Sequence, residues 1–385
     1  MFVYPRNLFA HILKDLNRKF VFLAGPRQVG KTTLAENIMK KLNGIHLLYE
    51  DEHDRAKILK KEYVHKSWVC LDEFHKFERW KNHIKGVYDK YHKTLHLLLT
   101  GSARLDIFQK SGDSLMGRYY LYHLYPLSCG ELHTDVIPTL PQDMHSLTSK
   151  IKGIPELLKF GGFPEPFSLQ SEKEHLRWSN MRRNLIIRED LRELTHIQLI
   201  GLVEQLMLLL PSKIGSLFSY RSLAEDIQVG VPTIQNWIQV FEKLYLLFKI
   251  SPYSKRITRA IQRQPKYYFY DWSQVEDESS KFENFIASHL WKAVQVWTDL
   301  GEANLSLHFL RDREKREVDF LITKNEKPWF MVEAKLAETS PSENLLHFSR
   351  LLNIPGIQVI LKEGICKRHG NISVISADQW LLHFP

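Results

Sequence analysis

Phe20-Val-Phe-Leu-Ala-Gly25-Pro-Arg-Gln-Val-Gly30-Lys31-Thr32-Thr33 is the stretch on which the reading of this chain turns. Five apolar residues, enough for a buried strand, run into the spacing GxxxxGKT, and a helical pattern from Leu34 to Leu42 follows. Strand, glycine-rich loop and helix in that order are what a phosphate-binding loop requires. The glycines let backbone N–H groups wrap an anion, and the helix N-terminus adds the positive end of its dipole. On this reading Gly25, Pro26, Arg27, Gln28, Val29, Gly30, Lys31, Thr32 and Thr33 cradle a nucleoside triphosphate. Lys31 reaches the β- and γ-phosphates, and the Thr32 hydroxyl completes the coordination of Mg2+.

Working outward, Ser67-Trp-Val-Cys-Leu-Asp72-Glu73 is an apolar strand that ends in two carboxylates. Asp72 is placed to hold Mg2+ through a water, and Glu73 to polarise the attacking water as general base. An Asp-Glu pair at a strand end also serves as a helix cap, but at this distance from the phosphate loop the catalytic reading is preferred. Leu95 to Thr100 is a third strand, followed by Gly101-Ser102-Ala103-Arg104. Thr100 or Ser102 is expected to hydrogen-bond the attacking water or the γ-phosphate, with a simple turn as the alternative. In Leu115-Met-Gly-Arg118-Tyr119, Arg118 is a candidate to stabilise phosphoryl charge on a neighbouring subunit, which implies a homo-oligomer. The alternative is a solvated or salt-bridged arginine.

The bulk numbers bound the partners. The chain has 385 residues and a net charge of +9, which favours acidic partners, nucleic acid first. Cys70, Cys129 and Cys366 are far apart and form neither a CxxC nor a Cys/His cluster. That argues against a disulfide framework or zinc site and for a reducing cytoplasm. Arg6, His11 and Lys14 interrupt the N-terminal apolar residues, against a signal peptide, and the apolar run Leu206 to Leu210 is far short of the roughly 20 residues a bilayer span needs. A soluble protein is expected, with no membrane partner.

The first third alternates short apolar runs with amphipathic stretches, the pattern of a parallel sheet covered by helices. Strands are predicted at Lys19 to Ala24, Ile45 to Tyr49, Ser67 to Leu71 and Leu95 to Thr100. A polar connection, Glu131 to Lys152, leads to a helical pattern from Ile154 to about Leu217, broken by Gly161-Gly162-Phe163-Pro164. Tyr220 to Ile250 reads as helix, turn, helix; Tyr267 to Tyr270 as a strand; Asp271 to Ser280 as a polar linker; and the remainder as α/β. Boundaries are placed near 135, 216 and 276.

In the helix-turn-helix segment, Val229-Gly230 makes the turn and Pro232 takes the first position of the second helix. Ile234, Trp237, Ile238, Phe241 and Leu244 recur at helical spacing and should face the core, leaving Thr233, Gln235 and Asn236 free to meet DNA. Lys255, Arg256, Arg259, Arg263 and Lys266 are candidates for a basic wing on phosphates. Such a module also serves purely for packing.

Farther on, Glu317 to Ile322 and Trp329 to Lys335 read as two strands joined by a turn, giving the spacing D-x13-ExK. Alternation along a strand puts Glu333 and Lys335 on one side, and Asp319 on the adjacent strand can join Glu333 in binding a divalent metal beside Lys335. Glu283, in the helical pattern Phe282 to Val294, is a further carboxylate for that set. The competing reading is a cross-strand cluster of ion pairs.

Several segments recur in a fixed order: GPRQVGKTT (25–33), LDEFHKFERW (71–80), LLLTGSAR (97–104), LMGRYYLYHLYPLS (115–128), GGFPEP (161–166), KYYFYDWSQV (266–275), KFENFIASHL (281–290), REVDFLI (316–322) and MVEAK (331–335). Together they resemble the prokaryotic AAA+-type ATPases with an AAA_14 core followed by a DUF4143 C-terminal region. The resemblance implies an α/β architecture: a P-loop AAA+-type core with a parallel sheet (1–135), a helical lid (136–215), a winged helix-turn-helix (216–275) and a C-terminal domain (276–385) like restriction endonucleases. It likens Thr100 or Ser102 to the sensor residues of AAA+ ATPases, and the Glu283, Asp319, Glu333 and Lys335 set to the PD-(D/E)XK nuclease signature. It also favours ATP over GTP, since no guanine-reading NKxD is evident. Trp272-Ser273 departs from the small residue and glycine usual in relatives. The function implied is an ATP-binding and ATP-hydrolysing protein whose nucleotide cycle regulates DNA binding or remodelling. Its rivals are an ATP-dependent, metal-dependent DNA nuclease and a nucleotide-switched protein-binding module.

Overall fold

A computed structural model describes residues 4–101, 115–134, 137–141, 153–187, 199–254 and 264–385. The chain divides into two compact units. The first is Met1–Tyr125 with Thr134–Ile137, and the second is Pro126–His133 with Pro138–Pro385.

The first unit runs α1 (Leu8–Leu16), β1 (Phe20–Ala24), α2 (Lys31–Leu42), β2 (Ile45–Leu48), α3 (Glu52–Leu59), β3 (Trp68–Asp72), α4 (Trp80–Tyr91), β4 (His96–Thr100) and β5 (Tyr119–His123). The strands form one sheet in the order β2-β3-β4-β1-β5, and every neighbouring pair is parallel. A parallel sheet is covered on both faces, so its central strands read as unbroken apolar runs. All five residues of β1 are buried, and Phe20 and Phe22 pack with Leu71, Trp80, Val87, Leu97 and Leu99 in one cluster. The four predicted strands are present within one or two residues of their expected bounds. The fifth, Tyr-Tyr-Leu-Tyr-His, was not anticipated: Tyr119, Tyr120 and Leu121 are only partly buried, so the segment lacks the apolar run of a central strand.

The second unit begins its helices with α5 (Ile154–Phe160), α6 (Pro164–Leu169), α7 (Glu172–Leu185) and α8 (Ile200–Leu209). The Gly161-Gly162 break between α5 and α6 has a steric cause. Gly161 has φ +75°, and a Cβ there would stand 2.6 Å from Asp271 Oδ1; a Cβ on Gly162 would stand 2.6 Å from Trp272 Cη2. Asp271 and Trp272 are each 1% exposed, and Trp272 Nε1 donates to the Leu157 carbonyl at 2.7 Å. Asp271 to Ser280 is therefore no open linker. Its first two residues seal the Gly-Gly turn, and its last three begin the next long helix.

The helix-turn-helix is formed by α9 (Tyr220–Ile227) and α10 (Val231–Lys243). Ser219 caps α9 by accepting from Ser222 N–H, and Gln228 closes it in the left-handed region at φ 61°. Pro232 takes the second position of α10 rather than the first, since Gly230 is the cap. Ile234, Trp237, Ile238, Phe241 and Leu244 are all buried as expected, while Gln235 and Asn236 are exposed. The helix does not continue to Ile250. Tyr245 at φ 56° breaks it, and the Leu-Phe-Lys-Ile run becomes a strand.

That strand, β6 (Leu247–Pro252), pairs antiparallel with β7 (Lys266–Phe269) and parallel with β8 (Leu305–Arg311). After α11 (Glu278–Asp299) come β8, β9 (Glu317–Lys324), β10 (Lys327–Lys335), α12 (Glu343–Leu352), β11 (Gly356–Ile360), β12 (Cys366–His369), β13 (Ile372–Ser376) and α13 (Ala377–Trp380). All eight strands join one sheet in the order β12-β13-β11-β10-β9-β8-β6-β7. Asp277 caps α11 through Ser280 N–H, so the helix starts four residues before the predicted Phe282. Among the described residues, no helix is long and apolar enough to cross a membrane.

Candidate active site

The turn after β1 requires glycine twice over. Gly25 has φ +143°, and a Cβ there would stand 2.2 Å from the carbonyl oxygen of Leu124, which follows β5. Leu124 N–H donates to the Ala24 carbonyl at 2.8 Å, so the end of β5 is what crowds the loop. Gln28 (φ 62°) and Gly30 (φ 99°) are both left-handed, and Gly30 caps α2. Left-handed residues in such a loop turn backbone N–H groups toward a common anion site. Lys31 is buried, and its Nζ donates to the carbonyls of Gly25 (3.0 Å) and Pro26 (2.7 Å), which folds the ammonium back against the loop. Thr32 is exposed and Thr33 partly so.

The carboxylates follow from sheet order. β3 and β4 run side by side, and their last residues, Asp72 and Thr100, are both wholly buried. Thr100 Oγ1 donates to Asp72 Oδ1, which also accepts from Glu73 N–H at 3.1 Å. His46 Nε2, from β2, stands 3.2 Å from Asp72 Oδ2. Burial by itself would raise the Asp72 pKa, but the nearby His46 imidazole and the Thr100 and Thr32 hydroxyls hold it below the usual carboxylate range. Asp72 is thereby kept ionised beside the Thr32 hydroxyl. A hydroxyl and a carboxylate are the hard oxygen donors that Mg2+ takes, so these residues fit the ion.

Glu73 has φ 53°, an unusual conformation for a residue with a side chain and one that concentrates at functional sites. Its carboxyl is raised above the ordinary value, chiefly by burial; Lys31 pulls it down and Asp72 pushes it up. His75 Nε2 lies 3.7 Å from Glu73 Oε2. A raised, partly buried carboxylate next to the phosphate loop is suited to take a proton from water.

Arg118 is not brought to this loop within its own chain. β5 runs parallel to β1 with Tyr119 beside Phe20, so Arg118 sits at the strand ends opposite the loop, roughly 16 Å away by strand rise. There Arg118 Nε donates to Asp89 Oδ1 at 2.9 Å and the guanidinium lies over the Tyr88 ring. Ser102 lies outside the described residues, as do Lys255 to Arg263 of the expected wing. Sequence reasoning missed His46 and Arg6, because neither β2 nor the segment before α1 carries a motif. The buried Arg6 donates from Nη1 to the Val29 carbonyl at 3.0 Å and from Nη2 to the Tyr125 carbonyl.

In the second unit the C-terminal set converges. Asp319 on β9 accepts from Ala334 N–H at 2.9 Å, between Glu333 and Lys335 on β10. Lys335 Nζ lies 3.1 Å from Glu333 Oε1, and Ser342 Oγ donates to Glu333 Oε2. Glu283 on α11 accepts from Tyr268 OH at 2.7 Å and from Lys266 Nζ at 3.3 Å. Burial and the Asp319 charge push Glu283 up to about 7, and the same two causes raise Glu333. Lys266 does not belong to an exposed wing. It is 2% exposed and also pairs with Glu317 at 2.7 Å, because strand alternation on β7 turns it into the carboxylate cluster. Among the described residues, no group of three or more His, Cys, Asp or Glu stands in metal-binding geometry. Each carboxylate is occupied by a protein donor, so the arrangement is ion-paired rather than a ready metal cage.

The parallel sheet, the glycine-rich loop and the buried Asp72 give the first unit the architecture of a P-loop nucleotide-binding domain. Residues 17–133 match the family described as AAA domain. Residues 151–275 and 279–380 match two domains of unknown function, DUF8612 and DUF4143. An uncharacterized protein of Mycobacterium tuberculosis is 22% identical over 275 residues, covering 70% of this chain and 58% of that protein. One from Methanocaldococcus jannaschii is 25% identical over 288 residues, 63% of this chain and 58% of its own length. The chain thus aligns with little more than half the length of these relatives. Among solved structures, the Thermotoga maritima RuvB Holliday junction branch migration motor aligns with a TM-score of 0.32 at 17% identity, covering 63% of this chain and 86% of that one. Aeropyrum pernix ORC1 in complex with DNA aligns with a TM-score of 0.32 at 12% identity, covering 74% and 93%. Scores of this size carry no functional inference.

Proposed function

We propose that this protein is a Mg2+-dependent ATPase whose nucleotide cycle regulates contact between this basic chain and DNA. The observation that carries the first part is the buried Asp72, held ionised by His46, Thr100 and Thr32 at the end of the strand beside the P-loop strand's neighbour β4. In this reading Gly25 to Thr33 bind the triphosphate, with Lys31 exchanging loop carbonyls for phosphate oxygens. Thr32 and Asp72 hold Mg2+, which when bound neutralises phosphate charge and orients the leaving group. Glu73 accepts a proton from the attacking water, and Ser102 contributes a hydroxyl to the γ-phosphate. Arg118, remote from its own loop, acts on the nucleotide of a neighbouring copy in a homo-oligomer.

The DNA part is supported by the charge of +9 and by the exposed amides of Gln235 and Asn236 on α10, whose other face is buried. The test is ATP hydrolysis and duplex binding measured together over a salt series. Hydrolysis that disappears in Lys31→Ala, with nucleotide-dependent and salt-sensitive binding, supports the reading. Hydrolysis without any DNA binding favours a nucleotide-switched protein-binding module.

One observation favours a second reading, a metal-dependent DNA nuclease. Asp319, Glu333 and Lys335 converge through the Asp319 bond to Ala334 N–H. Their oxygens suit a hard divalent cation, which would have to take Glu333 from Lys335 and Ser342. Plasmid cleavage with Mn2+ that is lost in Asp319→Asn or Glu333→Gln, with ATP hydrolysis intact, would establish it. No cleavage with either metal would remove it.

A further inference from the structure

We infer that Arg6 is a positioning residue of the phosphate site, a second buried cation that fixes the P-loop from outside its motif. The inference rests on the nucleotide-binding reading of that loop. Val29 lies between two left-handed residues, Gln28 at φ 62° and Gly30 at φ 99°, so its peptide orientation is set by a local inversion of the backbone on either side. For a loop to offer N–H groups to an anion, its carbonyls must point elsewhere and find donors there. Three of them do. Lys31 takes the carbonyls of Gly25 and Pro26. Arg6 Nη1 takes that of Val29, at 3.0 Å.

The same guanidinium donates from Nη2 to the Tyr125 carbonyl, one residue past the Leu124 that crowds Gly25. One planar group therefore ties the crest of the loop to the chain leaving β5. Arginine suits the task because its fork holds two acceptors in a fixed relation and it does not deprotonate when buried. Arg6 contacts no reacting atom. Its loss should weaken ground-state and transition-state binding alike, which raises KM and leaves kcat.

Fluorescent mant-ADP titrations and steady-state ATP hydrolysis on the full chain test this, using wild type, Lys31→Ala, Arg6→Gln and Arg6→Lys. The expected result is a Kd raised about tenfold or more in Arg6→Gln, as for losing a charged hydrogen bond. KM should rise in step, kcat should stay within about twofold of wild type, and Arg6→Lys should fall between. A role confined to packing would lower the unfolding midpoint but leave the Kd of the folded protein unchanged, and that result overturns the inference. So does a fall in kcat at constant KM. If Arg6→Gln does not fold by circular dichroism, Arg6→Lys decides, and a wild-type Kd in that variant is the overturning result. Wild type that binds no mant-ADP overturns the nucleotide reading itself and the inference with it. Wild-type binding that Lys31→Ala abolishes and Arg6→Gln keeps at full strength overturns the inference alone.

Discussion

His46 Nε2 stands 3.2 Å from Oδ2 of Asp72, while Thr100 Oγ1 occupies Oδ1, so residues of β2 and β4 hold the same buried carboxylate from its two sides. The pair works in both directions. Hydrogen bonding to Asp72 raises the His46 pKa against the lowering effect of burial, and His46 is the largest of the influences that keep Asp72 low. His46→Ala removes the imidazole that faces one oxygen of a buried carboxylate, at a cost of about 1–3 kcal/mol. Chemical denaturation should show that loss, and hydrolysis assays should show a higher Mg2+ requirement as Asp72 loses its fixed orientation. Unchanged values for both would mean that Thr100 and the Glu73 N–H position the carboxylate without His46.

Glu73 and Lys31 should separate chemistry from binding. Glu73→Gln keeps the shape but removes the proton acceptor, so kcat is expected to fall by about 10²–10⁴ with nucleotide affinity retained. Lys31→Ala should abolish binding itself. Equal hydrolysis by Glu73→Gln and wild type would transfer the role of base to another group.

Gly25→Ala is expected to be more damaging than its size suggests. The new methyl meets the Leu124 carbonyl at 2.2 Å in a backbone with φ +143°, a conformation that L side chains rarely adopt. Either β5 shifts or the loop does, and the strain alone is worth about 1–3 kcal/mol. A lower unfolding midpoint together with lost nucleotide binding is the expected pattern. A fully stable, binding-competent variant would show that the end of β5 is free to move.

Lys266→Met probes the cluster in the second unit. Lys266 lies between Glu283 and Glu317, and removing it leaves two carboxylates without their common cation. Breaking a buried pair in this way costs about 3–5 kcal/mol, visible in urea denaturation. DNA binding per folded molecule should not change, because Lys266 is buried. A selective loss of DNA binding at full stability would restore its place in a basic wing.

The pH dependence of stability follows from Glu283, whose pKa stands near 7 against an ordinary value of 4.5. Between those values the folded protein holds a proton that the unfolded chain releases, so stability falls as pH rises from 4.5 to 7 and levels above it. The contribution is on the order of 3 kcal/mol. Glu283→Gln cannot titrate, so denaturation midpoints at pH 5 and pH 7.5 should differ less in that variant than in wild type. Identical slopes would show that Lys266 keeps Glu283 ionised throughout.

Local chemistry was legible wherever one short segment contains its own reason. Gly25 to Thr33 announce a phosphate loop because the strand, the glycines and the helix are contiguous, and the core positions of α10 follow from helical spacing. D-x13-ExK indicated that Asp319, Glu333 and Lys335 would meet, since a hairpin fixes that register locally. The limits of local reading show at Leu247–Pro252, where six residues suit a helix end or a strand, and only pairing with β7 and β8 selects the strand.

What the sequence by itself determined, then, is the phosphate loop, the apolar strands around it and the carboxylates at their ends, all set by neighbours a few residues away. Only the tertiary structure decided which distant side chains complete them. His46 reaches Asp72 because β2 lies beside β3, and Arg6 reaches Val29 and Tyr125 from a segment with no motif. Lys266 enters a carboxylate cluster, and Arg118 falls at the far ends of the strands because β5 runs parallel to β1. His46, Arg6 and Lys266 share one physical reason, and the place of Arg118 follows from sheet order alone. A buried charge must find its partner wherever strand order places one, and strand order is a property of the whole sheet rather than of any segment within it.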